Sequence, residues 1–190
     1  DAVEIETSRR KIHSRYVVGC DGARSIVRQA IGSEHHDLGL HQPWLVVDVL
    51  LERDVDLPKQ TVQYCDPARP ITFVNVGGPR RRWEIMLMPG DDAAAMTRPE
   101  TVWRLLAPWL KPGDARIERG AVYTFHSLIA RRWRDRRLLI AGDAAHQTPP
   151  FLGQGMCAGV RDAANLAWKF SDERLLDSYQ TERESHVRVF

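Results

Sequence analysis

The chain has 190 residues, of which 43% are hydrophobic and 27% charged, which fits one folded domain or parts of two and excludes a disordered chain. Because the net charge is only +2, neither nucleic acid nor an acidic membrane surface is expected as a partner. The three widely spaced cysteines and the lack of an apolar run of roughly 18–20 residues argue against disulfides, zinc and a membrane span, and predict a cytoplasmic protein.

The opening of the chain predicts two strands joined by a tight turn, and then a third strand at residues 16–20. This third strand is rich in β-branched residues and is expected to be buried on both faces. It ends at Asp21. Residues 25–31 follow as a short helix, which Ser25 caps and Gly32 terminates.

The middle of the chain predicts a mostly antiparallel sheet. The turn at residues 77–80 contains two glycines and joins two of its strands as a hairpin. A helix follows, with a cap at Thr97, a proline in its first turn at Pro99, and its end at Pro112. A long strand at residues 116–127 completes this region. The other strands are expected at residues 44–51, 61–65, 71–76 and 82–88.

The last third of the chain returns to an α/β pattern. Residues 137–141 form a second buried strand, and apolar residues then recur at helical spacing over residues 156–170. Another helix is expected around residues 175–179. The chain starts at Asp1 directly in a strand pattern and without a methionine, so we interpret it as part of a larger protein.

The second buried strand ends in Gly142-Asp143. Ligands of open α/β sheets bind beyond the carboxyl ends of the strands, where an acid commonly accepts hydrogen bonds from ribose or ribityl hydroxyls. Taken alone, the pair is equally compatible with an Asx turn that has no ligand. The residues that follow favour the ligand.

The loop Pro149-Pro150-Phe151-Leu152-Gly153-Gln154-Gly155 leads directly into the helix. Its glycines allow a ligand to approach the backbone, and the unpaired N–H groups and positive end of the helix suit a pyrophosphate or the pyrimidine edge of a flavin. The run from Gly153 to Ala158 formally matches a dinucleotide fingerprint. We regard that match as incidental, because a long loop separates it from the preceding strand.

These features together resemble the class A flavoprotein monooxygenases, the group built like the hydroxybenzoate hydroxylases. The likeness rests on Asp21-Gly22 with Ser25 and Arg28, on Gly142-Asp143, and on the loop at residues 149–155. It implies an α/β fold in which part of a doubly wound FAD-binding domain carries an antiparallel substrate-domain insert. The implied boundaries are residues 1–39 and 128–190 for the FAD-binding part and residues 40–127 for the insert.

The resemblance also implies roles for individual residues. Asp143 is expected to contact the ribityl or ribose portion of FAD, and the following loop and helix start to lie along the pyrophosphate and isoalloxazine. The first motif is expected to support FAD and the passing nicotinamide cofactor, although Arg28 is equally compatible with a surface helix residue. The implied cofactor-binding residues are Asp143, Gly142, Pro150, Gly153, Gln154, Gly155, Met156, Asp21, Gly22, Arg24 and Arg28.

The activity implied is hydroxylation of a phenolic ring beside its hydroxyl, using FAD, O2 and NADH or NADPH, with a substrate of the 3-(3-hydroxyphenyl)propanoate type. A hydroxylase or epoxidase of another aromatic or polyketide ring is the first alternative. The family's first glycine-rich phosphate loop is missing from the sequence, so we assign the activity to the parent protein. For the isolated chain the alternative is a non-catalytic module that associates through an apolar surface, such as a homo-oligomer.

Other residues invite functional interpretations that we do not favour. Adjacent histidines in a glycine-containing loop lack a metal-ligand spacing, and His146 is expected to hold its loop by hydrogen bonds rather than act as a base. The tryptophans are expected to pack in the core. The discounted metal cluster consists of Glu34, His35, His36, Asp37 and His41.

Overall fold

The computed structural model describes residues 2–189, so Asp1 and the interpretation attached to it lie outside the described residues, as does Phe190. Within the described range the strands are β1 (Val3–Glu6), β2 (Lys11–Ser14), β3 (Val17–Gly19), β4 (His35–Leu51), β5 (Val62–Tyr64), β6 (Ile71–Gly77), β7 (Arg80–Met86), β8 (Ala115–Ala130), β9 (Arg134–Asp135), β10 (Leu138–Ile140) and β11 (His146–Gln147). The α-helices are α1 (Ile26–Ile31), α2 (Ala93–Met96), α3 (Pro99–Leu106), α4 (Gly155–Lys169) and α5 (Tyr179–Val187).

The chain divides into two compact units. The first contains the residues up to Leu40 together with those from His126 onward, and the second is His41–Phe125. The mixed α/β class with antiparallel sheets, expected from the sequence, is confirmed. None of the helices formed by residues 2–189 has the length and apolar character needed to cross a membrane.

The first unit is built around a parallel pair of strands. β3 pairs in parallel with β10, and β9 pairs antiparallel with the other edge of β10. The expectation that β3 is buried on both faces is wrong for the described residues: Gly19 is buried, but Val17 and Val18 are only half-buried, because β3 is the edge strand of this sheet. The core instead centres on Leu139 and Ile140 of β10, which are fully buried.

The second unit contains a sheet in the order β8-β4-β7-β6-β5, in which β4, β7, β6 and β5 pair antiparallel. The predicted hairpin is present, since Gly77 pairs with Arg80 across a two-residue turn and both Gly77 and Gly78 have positive φ angles. One face of the sheet packs on α3 and the turn after it. That core contains Phe73, Trp83, Ile85, Val102, Leu106 and Leu110.

Two predicted details around α3 are wrong. Thr97 does not cap α3, because its hydroxyl donates to the carbonyl of Ala94 at 3.0 Å and so closes α2, a helix that the sequence did not predict. The residue at the N-cap of α3 is Arg98, which makes no side-chain capping bond. The helix also ends at Leu106 rather than near Pro112, and a hydrogen-bonded turn fills the interval.

Residues 35–41, expected in a loop, instead form the first part of the long strand β4. Their side chains therefore alternate between two faces, and no group of three potential ligands among the described residues is arranged to hold a metal ion. The three cysteines carry no disulfide.

Candidate functional site

The Gly142-Asp143 pair lies in a single 3-10 turn, Gly142–Ala144, immediately after β10. The turn is tied to the parallel strand pair because the N–H of Ala141 donates to the carbonyl of Gly19 at 3.0 Å. Gly142 has a φ of +59°, a left-handed conformation that glycine adopts without strain. This geometry leaves the Asp143 side chain exposed beyond the strand.

The loop before α4 ends in a second short 3-10 turn, Pro150–Leu152, which Gly153 closes with a φ of +62°. Gln154 follows as the N-cap, and its carbonyl accepts the N–H of Ala158 at 2.8 Å. In such a helix the N–H groups of the first turn have no intrahelical acceptor. The start of α4 therefore presents backbone donors, as the sequence predicted.

The surroundings of these donors suit a bound group. Gly155 faces the hydroxyl oxygen of Thr148, since a Cβ built on this glycine would lie 3.4 Å from that oxygen. That hydroxyl is buried and has no hydrogen-bond partner among residues 2–189. Beside it, Leu152 and Met156 are exposed, Met156 to 80%. The helix start combines accessible backbone donors with an unsatisfied polar atom.

The 3-10 turn and α4 approach each other at backbone distance. A Cβ on Gly159 would lie 3.3 Å from the Cα of Gly142, closer than most side chains tolerate. Two glycines thus allow the turn to rest on the helix. This packing brings together the two parts of the site that the sequence separated by a long loop.

Asp162, which no sequence pattern singled out, holds the turn from its buried side. This side chain of α4 is fully buried. Its Oδ2 accepts the N–H of Gly142 at 3.0 Å and contacts Nε2 of His146 at 2.7 Å, while its Oδ1 accepts Nε of Arg183 at 2.8 Å. His146 therefore helps to hold its loop, as expected from the sequence.

The balance of forces keeps Asp162 ionised. Burial alone would raise the pKa of this carboxyl, but the hydrogen bonds from His146, Arg183 and Gly142 together lower the pKa below its ordinary value. An ionised carboxylate only accepts hydrogen bonds, so Nε2 of His146 carries the hydrogen. The other ring nitrogen, Nδ1, is buried and has no partner within the described part of the chain.

In the first motif, the carboxylate of Asp21 bonds to the start of the neighbouring helix α1. Oδ2 of Asp21 accepts the N–H groups of Ile26 and Val27 at 2.7 and 3.2 Å, and the Ser25 hydroxyl accepts the N–H of Arg28 at 2.9 Å. Burial tends to raise the pKa of Asp21, yet the bonds from Ser25 and from these N–H groups lower it overall. Asp21 and Ser25 together cap α1.

Arg28 is buried, so the alternative that it is a surface helix residue is wrong. It is only 7% exposed. Its two terminal nitrogens donate to the carbonyl of Ala144 at 3.0 Å and to the carbonyl of Ala23 at 2.7 Å. The side chain of Arg28 therefore connects the loop of the first motif to the turn of the second. Asp21 and Arg24, a few residues earlier in the chain, are exposed to solvent.

A family model for the FAD binding domain matches residues 3–189, nearly the whole chain. The chain belongs to this FAD-binding domain family. The features that the match spans are those just described, namely the capped loop of the first motif, the turn after β10 and the start of α4.

Curated relatives of this FAD-binding domain are hydroxylases. The chain is 49% identical over 194 residues to a probable NADH-specific resorcinol 4-hydroxylase of Rhodococcus jostii, covering 98% of the chain and 36% of that protein. It is 38% identical over 188 residues to a 3-(3-hydroxy-phenyl)propionate/3-hydroxycinnamic acid hydroxylase of Burkholderia cenocepacia, covering 94% and 34%. The chain thus spans about a third of the length of these relatives.

Solved structures match the fold. Aklavinone-11 hydroxylase in ternary complex with FAD and aklavinone superposes with a TM-score of 0.83 at 27% identity, over 94% of this chain and 36% of that one. The p-nitrophenol 4-monooxygenase of Pseudomonas putida superposes with a TM-score of 0.82 at 26% identity, over 100% and 51%. The α/β arrangement predicted for the FAD-binding domain is therefore the fold of known flavin-dependent hydroxylases.

Proposed function

We propose that this chain supplies the flavin-contacting turn and helix of an FAD-dependent aromatic hydroxylase. The observation that carries the proposal is the start of α4, where backbone donors and the unsatisfied hydroxyl of Thr148 lie together beside the Gly142 turn. Anionic and hydrogen-bond-accepting groups bind favourably at such a helix end. The residues present therefore fit the pyrophosphate and pyrimidine portions of FAD.

Each residue around the turn has a distinct proposed role. Asp143, exposed beyond β10, accepts hydrogen bonds from hydroxyl groups of the ribityl or ribose portion. Gly142 supplies the left-handed backbone that points this acid outward. The backbone from Pro150 through Gly153, Gln154, Gly155 and Met156 lies along the pyrophosphate and isoalloxazine, whose negative charge rises on reduction and is stabilised by the positive end of α4.

We assign the residues of the first motif an indirect role in FAD binding. Asp21 and Gly22 shape the loop before α1, and Arg28 fixes that loop to the second motif. Arg24 is exposed on the same loop and has the charge to attract the phosphates of a passing nicotinamide cofactor, NADH or NADPH. The likeness to the probable NADH-specific hydroxylase of Rhodococcus jostii favours NADH.

Bound FAD would supply the redox chemistry, in which NADH gives two electrons and one oxygen atom of O2 enters the ring carbon beside a phenolic hydroxyl while the other leaves as water. We assign binding of the phenol to the second unit. Its sheet packs one face on α3, so the opposite face, with Thr72, Arg82 and Glu84, is the proposed substrate face. Burial raises the pKa of Glu84 on that face, which makes it a candidate partner for a phenolic hydroxyl.

Two phenols follow from the relatives, resorcinol and 3-(3-hydroxyphenyl)propanoate, and a polyketide ring follows from the aklavinone-11 hydroxylase likeness. We propose a phenol of the first two kinds, because these relatives are the more similar in sequence. Mass spectrometry of oxygen incorporation, with FAD and NADH present, distinguishes resorcinol, 3-(3-hydroxyphenyl)propanoate and aklavinone as substrates. Hydroxylation of aklavinone but of neither phenol would overturn the assignment.

A cytoplasmic location is proposed from the three unpaired cysteines. Association into a homo-oligomer is proposed for the chain by itself, because Val160 and Trp168 are exposed on α4 beyond the flavin-binding residues at its start. Size-exclusion chromatography tests the association, and a concentration-independent monomer would exclude it.

A flavin titration with the variant Asp143→Ala tests the site itself. Loss of one hydrogen bond to a charged acceptor, about 1.5–3 kcal/mol, would raise the Kd for FAD by roughly 10- to 150-fold. Because Asp143 is exposed, the free energy of unfolding should change by no more than about 0.5 kcal/mol. The matched control is Glu6→Ala, which removes an exposed acid of β1. Equal FAD affinity in all three proteins would contradict the proposed role of Asp143.

A further inference from the structure

We propose that Asp162 is the positioning residue of the flavin-binding turn: its buried carboxylate holds the N–H of Gly142 and the ring of His146, and so fixes the backbone that presents Asp143. The expected effect of Asp162 on FAD binding rests on the proposed function. The contact between Asp162 and Gly142 does not, because it is part of the structure. Asp162 does not lie on the exposed side of the turn, so its effect on FAD is exerted through Gly142.

Three donors bind the two oxygens of this carboxylate. Oδ2 lies 3.0 Å from the Gly142 nitrogen and 2.7 Å from Nε2 of His146, and Oδ1 lies 2.8 Å from Nε of Arg183. All three donors point at one side chain with no solvent exposure. An asparagine in its place has one acceptor oxygen and an NH2 group. Because the charged donor makes the stronger hydrogen bond, the oxygen turns to Arg183 and the NH2 group faces the N–H of Gly142.

The carboxylate is also the only negative partner that the described structure gives to the buried Arg183. Arg183 is 8% exposed and comes from α5, whereas Asp162 comes from α4. A buried charge that loses its partner is strongly unfavourable. The pair therefore joins α4 and α5 at the point directly beneath the turn.

A second contact from α5 reaches the same place. The hydroxyl of Tyr179 donates to the carbonyl of Ile140, the last residue of β10, at 3.0 Å. The strand end is thus held by Tyr179 and the residue two positions later, Gly142, by Asp162. Together the two helices define where β10 stops and the turn begins.

Hydrogen exchange of the Gly142 amide, followed by NMR in the 190-residue chain without flavin, tests the holding. In Asp162→Asn this amide should exchange at least tenfold faster than in the wild type. The matched control is Glu182→Gln, which breaks the ion pair between Glu182 and the buried Lys169 in the same two helices without touching Gly142. In the control the exchange of Gly142 should stay within twofold of the wild type.

An unchanged exchange rate in Asp162→Asn overturns the proposal, and so does an equal acceleration in Glu182→Gln, which would mark a general loosening of the helix pair. If Asp162→Asn does not fold, Asp162→Glu replaces it, because that change keeps the negative partner of Arg183 but adds one methylene, which moves the carboxylate away from its position against the Gly142 N–H. Exchange at least threefold faster is then expected, and no change overturns the proposal.

Flavin binding separates this inference from the proposed function. If the wild-type chain binds FAD, Asp162→Asn should raise the Kd at least tenfold and Glu182→Gln by less than twofold, at a temperature where all three are folded. Faster exchange with an unchanged Kd would overturn the link between Asp162 and the flavin. If the wild type does not bind FAD, the proposed function fails for this chain, while the exchange result still decides whether Asp162 holds the turn.

Discussion

Replacing Arg28 by methionine removes the side chain that connects the two motifs. The guanidinium donates to the carbonyls of Ala23 and Ala144 at 2.7 and 3.0 Å, and no other bond in the described structure joins these two peptide groups. Methionine has a similar length and a similar helix propensity, so α1 itself should persist. The substitution isolates the bridge from the helix.

The size of the effect follows from the contacts. Two hydrogen bonds from a charged donor are worth about 1.5–3 kcal/mol each, and burying methionine avoids the cost of removing a guanidinium from water. Burial lowers the pKa of Arg28 without neutralising it, so that cost is real in the wild type. We expect Arg28→Met to lower the free energy of unfolding by about 2–4 kcal/mol.

Urea unfolding followed by tryptophan fluorescence measures this loss as a lower midpoint at an unchanged slope. Gln29→Met is the matched control, since Gln29 is the exposed neighbour on the same helix and its replacement should change stability by no more than about 0.5 kcal/mol. If Arg28→Met were as stable as this control, the bridge would contribute nothing and the reasoning from burial and bond distance would be refuted.

Two further predictions concern packing and pH. A Cβ on Gly19 would lie 2.6 Å from the Cβ of Val27, so Gly19→Ala should lower the free energy of unfolding in urea by about 1–3 kcal/mol, and an unchanged stability would show that α1 shifts freely. Hydrogen bonds from Lys169, Ser178 and Asn165 lower the pKa of Glu182 to about 2. Its stabilisation is therefore present above the unfolded pKa of about 4.3 and is lost as pH falls towards 2, so the Tm difference between wild type and Glu182→Gln should shrink over that range; a constant difference would contradict the pKa.

The parts of the fold that the sequence predicted are those with strong local patterns. The β-branched run before Asp21 and the apolar run ending in Gly142 gave the two parallel strands, and the double glycine at residues 77–78 gave the hairpin. The errors lie where tertiary pairing overrides local preference. Residues 35–41 look like a loop because of their glycine and histidines, yet they extend β4 far beyond its apolar part.

When one helix ends close to where the next begins, the sequence does not show which of the two a capping residue belongs to. Thr97 has the right type and spacing to start α3, but the preceding residues already form α2 and its hydroxyl bonds backwards to Ala94. A hydroxyl between two short helices can serve either one. Only the backbone conformation, which the sequence does not contain, decides between them.

Only part of the candidate site could be proposed from the sequence, for a related reason. The glycines, prolines and exposed acid of the candidate site follow one another in the chain, so the loop before α4 and the Gly142-Asp143 pair could be proposed from the sequence. Asp162 carried a weaker signal that was not used. It falls on the buried stripe of α4 with Ala158, Leu166 and Lys169, where an ionisable residue has to be paired.

The partners of such a residue come from elsewhere in the chain, and this explains why the exposed and buried halves of the site differ in predictability. Asp143 faces outward and can be interpreted from its own neighbours. Asp162 faces Gly142, His146 and, 21 residues away, Arg183, so its role exists only once α4 and α5 have packed. The turn after β10 keeps the Asp143 side chain exposed only if its backbone is held rigidly. A buried carboxylate with three hydrogen-bond donors provides that support, because each donor lost leaves a buried polar group unpaired.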